Sequence, residues 1–151
     1  MIEVIEYRKA VLAWLAGITG MSALVGDRLY YIGPQGVVGF PWLGLSLSRT
    51  PWPGIEGYPG GHWQGVCTIN VYALDVNTAD AIEDLIWEDM GDNAQDPLTT
   101  RLSVAGKVTV QDFALVEVDE DNPVEHPTEG GFVCWVRPLR FRTAFVATLE
   151  G

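Results

Sequence analysis

The chain has 151 residues, 48% of them apolar, which suits a single domain spanning 1–151 with its own core and excludes a disordered chain. Acids outnumber bases 20 to 9, and the net charge of −11 excludes phosphate-backbone binding as a main function, because that affinity comes from Lys and Arg. No apolar run approaches the roughly 18 residues of a membrane helix. Glu3 and Glu6 precede Arg8 and Lys9, the reverse of a secretory signal, so the protein is expected to stay in the compartment where it is made.

The first predicted element is a helix. Val4, Val11, Leu15 and Ile18 form an apolar stripe that Ile5, Leu12 and Trp14 widen, and Gly17 and Gly20 then loosen it. Ser22 is a candidate cap for a short second turn of helix over residues 23–25. Gly26 supplies a turn, and residues 28–32 read as a short strand begun by Arg28. After the loop "GPQGVVG", residues 41–48 alternate: Leu43, Leu45 and Leu47 point one way, Trp42, Gly44, Ser46 and Ser48 the other. Residues 49–65 read as a long loop rich in Gly and Pro that carries Trp52, Tyr58 and Trp63.

Residues 66–74 are the clearest strand, with Cys67, Ile69, Val71 and Ala73 on one face. Helical spacing follows at once. Asn77 is the expected N-cap with Asp80 at N3, the stripe is Ala79, Ile82, Leu85, Ile86 and Met90, and Gly91 is the expected stop. Glu88 and Asp89 oppose the helix dipole there, which leaves two alternatives, a partner for those charges elsewhere or none. Residues 97–103 fit one helical turn. Residues 106–119 and 131–145 read as two long strands of a hairpin, with Val108, Val110, Ala114, Val116 and Val118 on one side of the first and "DEDNPVEHPTEGG" as its acidic turn. Strands and helices do not alternate regularly. The expected class is therefore α+β: a mostly antiparallel sheet, the N-terminal helix and a second helix packed on one face, and a long C-terminal β-hairpin.

Catalytic patterns are sparse. His62 and His126 fall in expected loops, and the acids around His126 lack the order of a calcium loop. Cys67 and Cys134 lack metal-ligand spacing and read as buried free thiols. No nucleophile elbow, phosphate loop or dinucleotide fingerprint is present, so neither enzymatic activity nor a cofactor or metal is expected. The informative features are distributional. Eight acids lie between Asp75 and Asp96 and six between Glu117 and Glu129. Arg140 and Arg142 share a face of the last strand, with Arg137 on the other. Two readings stand side by side for these arginines: a charged edge strand, or a basic strip that meets an acidic surface on a neighbouring copy. Trp52, Tyr58 and Trp63, in the long loop, suit a protein contact.

The layout resembles the tail terminator (tail completion) proteins of long-tailed bacteriophages over roughly residues 7–145. The resemblance is carried by "YRKAVLAWLAGITGMSALVG", the turn "GDRLYY", the strand "FPWLGLSLS", the junction "TINVYALDVNTADAIEDLIWEDM" and the ending "WVRPLRFRTAF". The chain departs from that pattern in its loop at 49–65 and its acidic hairpin region. The resemblance implies a structural virion protein of the tail or neck, assembled in the host cytoplasm. It further implies a homohexameric ring that caps the tail tube and joins it to the head, without enzymatic activity or cofactor. Its partners would be other copies of itself, the major tail tube protein and head–tail connector proteins, with no membrane involved. DNA would pass through an acidic channel without specific binding. On this reading Arg28, Arg137, Arg140 and Arg142 make subunit contacts, Trp52, Tyr58 and Trp63 touch the tail, and Glu83, Asp84, Glu88, Asp89, Asp119, Glu120 and Asp121 face the lumen or rim. The rival readings are a head-closure or neck protein of the same machine, a small acidic α+β protein-binding module of the inhibitor or antitoxin kind, and a weak metal-dependent hydrolase using acids near Asp119 and His126.

Overall fold

A computed structural model describes residues 2–33, 39–51, 62–92, 97–125 and 131–147. Helices α1 (Ile2–Gly17) and α2 (Met21–Val25) lead into strands β1 (Leu29–Tyr31), β2 (Trp42–Pro51) and β3 (His62–Ala73). Helices α3 (Val76–Asp92) and α4 (Leu98–Leu102) follow, then β4 (Val108–Val118), β5 (Asn122–Glu125) and β6 (Phe132–Ala147). One six-stranded sheet runs in the order β1-β2-β3-β6-β4, with β5 also on β6. Every pairing is antiparallel except β1 with β2. This is the expected α+β class, with a mostly antiparallel sheet and a C-terminal hairpin.

The last strand is the centre of the fold. Its alternate residues Leu139, Phe141, Thr143 and Phe145 are buried beside Cys67, Ile69 and Val71 of β3, Leu43 and Leu45 of β2, and Val108, Val110 and Phe113 of β4. All four helices cover this face. α1 supplies Tyr7, Val11, Trp14 and Leu15, α3 supplies Ala79, Ile82 and Ile86, and α2 and α4 close the ends with Met21, Val25, Leu98 and Leu102. Burying a side chain the size of Leu or Phe contributes about 1.5–3 kcal/mol, so this layer dominates stability.

Several local readings change. Tyr7, absent from the sequence stripe, is fully buried, whereas Ile5 is exposed. Tyr7 stacks on Phe145 with centroids 4.1 Å apart, and its hydroxyl shares a 2.6 Å hydrogen bond with Thr143. Burial holds that hydroxyl above its ordinary pKa and pushes the neighbouring Cys67 thiol up to about 12. Both cysteines are free and buried. Gly20, not Ser22, precedes α2, and Gly26 turns the chain at φ 60°, where a side chain is strained. The Asp75 carboxylate, not Asn77, caps α3 by accepting the Thr78 N–H at 2.7 Å. Gly91 lies inside α3 rather than ending it.

The β2–β3 hairpin also runs further than the alternation suggested. Arg49, Thr50 and Pro51 pair with Gly65, Gln64 and Trp63, which shortens the expected loop at both ends. In β4, two bulges, between Val110 and Asp112 and between Leu115 and Glu117, shift the side-chain phase. Phe113 and Leu115 consequently join the core, while Val116 and Val118 are exposed.

Candidate functional site

The sheet has a second face that no helix covers among the described residues. Cross-strand partners share a face, so the register lays it out in rows. Ser46, Thr68 and Arg140 form one row, and Ser48, Val66, Arg142 and Ala114 form the next. Towards β1 the face is aromatic: Trp42 stacks on Tyr72 at 3.8 Å, and Tyr30 meets Trp42 edge-on at 5.8 Å. Gly44 makes room for this group, because a Cβ there would lie 2.7 Å from the Ile32 carbonyl and 3.1 Å from the Trp42 ring.

Arg140 and Arg142 lie together on this bare face, as alternation required, and each is bonded within its own chain. Arg142 donates to Asp112 at 2.5 and 3.3 Å. Arg140 donates to Glu117 at 3.3 Å and to Asp119 at 2.5 Å. The two acids also hydrogen-bond each other, so Glu117 is held above and Asp119 below its ordinary pKa. Three carboxylates therefore face two guanidiniums, and this face is close to neutral.

Arg137 is on the other side of β6 and only 8% exposed. It makes a two-pronged bond with Asp121 at 2.7 and 2.8 Å and reaches Asp80 at 2.6 Å and Glu83 at 3.1 Å on α3. Hydrogen bonding to Asp121 is the main reason its proton is held more firmly than usual. Arg137 is thus a brace inside the chain rather than a free contact for a neighbour. Asp121 and Glu83 are its ligands rather than free acids.

Asp119 and Asp121 do not sit at a hairpin tip, because β5 continues the pairing on β6 beyond them. They flank Glu120 in the break between β4 and β5, and one bonds Arg140 on the bare face while the other bonds Arg137 on the helix face. Arg28 is also internal. Its Nε donates to the Pro41 carbonyl at 2.9 Å and its guanidinium to the Leu24 carbonyl at 3.3 Å. The turn in "GDRLYY" is thereby tied to the entry of β2, which starts after a cis Phe40–Pro41 bond.

Of the two alternatives, a partner elsewhere or none, Asp89 takes the first. It accepts from Arg101 at 2.8 Å and from the Trp14 indole at 2.8 Å. Burial alone would raise its pKa, but these two donors outweigh burial and hold it below its ordinary value. Asp84 and Glu88 are exposed on the outer stripe of α3, without a partner among the described residues. Trp63 belongs to β3, partly buried against the core beneath the Arg49 guanidinium at 4.7 Å, not to a loop. Trp52, Tyr58 and His126 lie outside the described residues. Among the described residues no three acidic, His or Cys side chains are grouped to hold a metal ion.

The remaining cations complete a pattern. Arg8 lies over the Tyr31 ring at 3.8 Å, and Lys9 and Lys107 both approach Glu6. With Arg28, Arg49, Arg101, Arg137, Arg140 and Arg142, all nine Lys and Arg of the chain are engaged internally. The surplus of acid has no counterpart on this molecule. Sequence reasoning located the acids but missed this, because the pairings join residues far apart in the chain, such as Glu6 with Lys107 and Glu83 with Arg137. Compared with known proteins, the chain matches no family model and no curated protein.

Proposed function

We propose that the chain is a structural virion protein of a long-tailed bacteriophage, forming a ring that caps the tail tube and joins it to the head. The observation that carries this reading is the resemblance to tail terminator proteins, whose two most distinctive pieces fall at joints of the fold. "GDRLYY" is the turn that Arg28 braces, and the stretch around "VYALD" runs from β3 into the Asp75 cap of α3. A ring with helices outside and a sheet towards the channel has a use for one helix-covered and one bare sheet face. A channel wall that is close to neutral or acidic, with its arginines already paired, lets DNA slide without sticking. In this arrangement α3 and the bare face lie on opposite sides of the sheet. Asp119 then belongs to the channel side, and Asp84 and Glu88 to the outside or rim.

The purified protein, mixed with uncapped tail tubes, is expected to form a terminal ring in negative-stain images and to stop further tube growth. Tubes that keep growing with unmarked ends would overturn the reading. The second reading, a small acidic protein-binding module, is favoured by the unmatched acidic surplus. It expects a monomer or dimer that leaves tubes untouched.

A further inference from the structure

The outer stripe of α3 carries a tryptophan that the core does not use. Trp87 is 48% exposed, between Asp84 and Glu88, while Ala79, Ile82 and Ile86 turn inward. Its indole is nonetheless fixed. The ring N–H donates to Glu83 Oε2 at 3.0 Å, and the other oxygen of Glu83 accepts from the buried Arg137 at 3.1 Å. A buried guanidinium therefore orients an exposed ring through one carboxylate. A rigid aromatic side chain at a surface loses little freedom on binding, which is what interface anchors have in common.

Among the described residues, the next turn leaves this ring half exposed. A helical side chain leans over the turn N-terminal to it, so residue 91 is the one placed to shield Trp87. Residue 91 is glycine, and a Cβ there would meet nothing within 4 Å. Neither a positive φ nor crowding requires glycine at this position, although glycine within a helix is costly relative to alanine.

We infer that the Asp84–Trp87–Glu88 ridge docks a Lys- or Arg-bearing surface of a different protein, with a cation over the indole and the two free carboxylates beside it. A second copy of this chain is a poor occupant, because each copy carries −11 and its acids outnumber its bases 20 to 9, so two copies repel. A cationic partner supplies what this chain lacks. The inference does not depend on the tail reading.

The probe is a labelled nona-arginine peptide, titrated by fluorescence anisotropy at 150 mM salt, on the order of physiological ionic strength. Trp87→Ala and the pair Asp84→Asn with Glu88→Gln are each expected to weaken binding about tenfold. Gly91→Leu is expected to weaken it while raising the thermal midpoint, which no loss of folding explains. The pair Glu120→Gln with Glu125→Gln removes the same charge elsewhere and is expected to change affinity less than about twofold. Equal weakening by that control, or full binding by Trp87→Ala, would overturn the inference. So would self-association of the chain that Trp87→Ala abolishes, because the ridge would then belong to a second copy.

Discussion

Arg137 and Arg140 are three residues apart on one strand, yet they face opposite sides of the sheet and do opposite things. Arg137 is buried and joins α3 to the β4–β5 break through three carboxylates. Arg140, like Arg142, lies in the open and pairs with carboxylates of β4 and of the break that follows it. The lesson is that the same ion pair counts very differently with its surroundings. An exposed pair contributes little because water competes for both partners, whereas removing one partner of a buried pair strands the other charge.

The strongest test of that contrast is truncation. Arg137→Ala is expected to cost about 3 kcal/mol or more in urea denaturation, because Asp121 and Glu83 lose their cation in a partly buried site. A loss below about 1 kcal/mol would mean that water replaces the guanidinium freely and that the two faces do not differ as described.

Tyr7→Phe is expected to cost about 1–2 kcal/mol, since it strands the buried Thr143 hydroxyl while keeping the stacked ring. This extends the comparison to a neutral pair on the helix-covered face.

Acid provides the third test. The folded pKa of Asp89 is depressed, so its contribution is complete above the unfolded value of about 3.9 and is lost as pH falls through the folded value. Asp89→Asn is therefore expected to unfold more easily at neutral pH and to show a flatter loss of stability below about pH 4 than the parent chain. Thermal midpoints measured from pH 7 to pH 2 check both points.

The smallest effects belong to the bare face. Arg140→Ala and Arg142→Ala are each expected to change chain stability by no more than about 0.5 kcal/mol. Ile32, with a positive φ of 69° in the turn after β1, provides a scale for backbone strain on the same side. Ile32→Asn is expected to stabilise by up to about 1 kcal/mol, because Asn tolerates this region better than a β-branched residue.

Much of the fold was legible because it rests on local periodicity. The α3 stripe, the Cys67–Ala73 face of β3 and the opposed faces of Arg137 and Arg140 follow directly from periods of 3.6 and 2. What periodicity does not encode is phase slippage and distance. The bulges in β4 reverse which of its side chains are inside, and alternation counted across them put Val116 and Val118 on the same side as Val108 and Val110, which alone among them are buried. Tyr7 was passed over because its justification lies 136 residues away at Thr143. The candidate site was legible only as a charge distribution. That Arg28, Arg137, Arg140 and Arg142 are all bonded within the chain depends on pairings that no local pattern carries. Trp87 had a weak signal in advance, as an aromatic residue on the outer stripe of an otherwise acidic helix.

The position of Arg137 has a mechanical side. Its guanidinium holds α3 through Asp80 and Glu83 and the β4–β5 joint through Asp121, while its backbone sits in the strand that β3 and β5 flank. Asp119 clamps the same joint to Arg140 from the other side. Strand β6 is thus riveted to its neighbour on both surfaces within four residues. A load applied at the Val118 end of β4 meets this rivet before it reaches the ladder between β4 and β6.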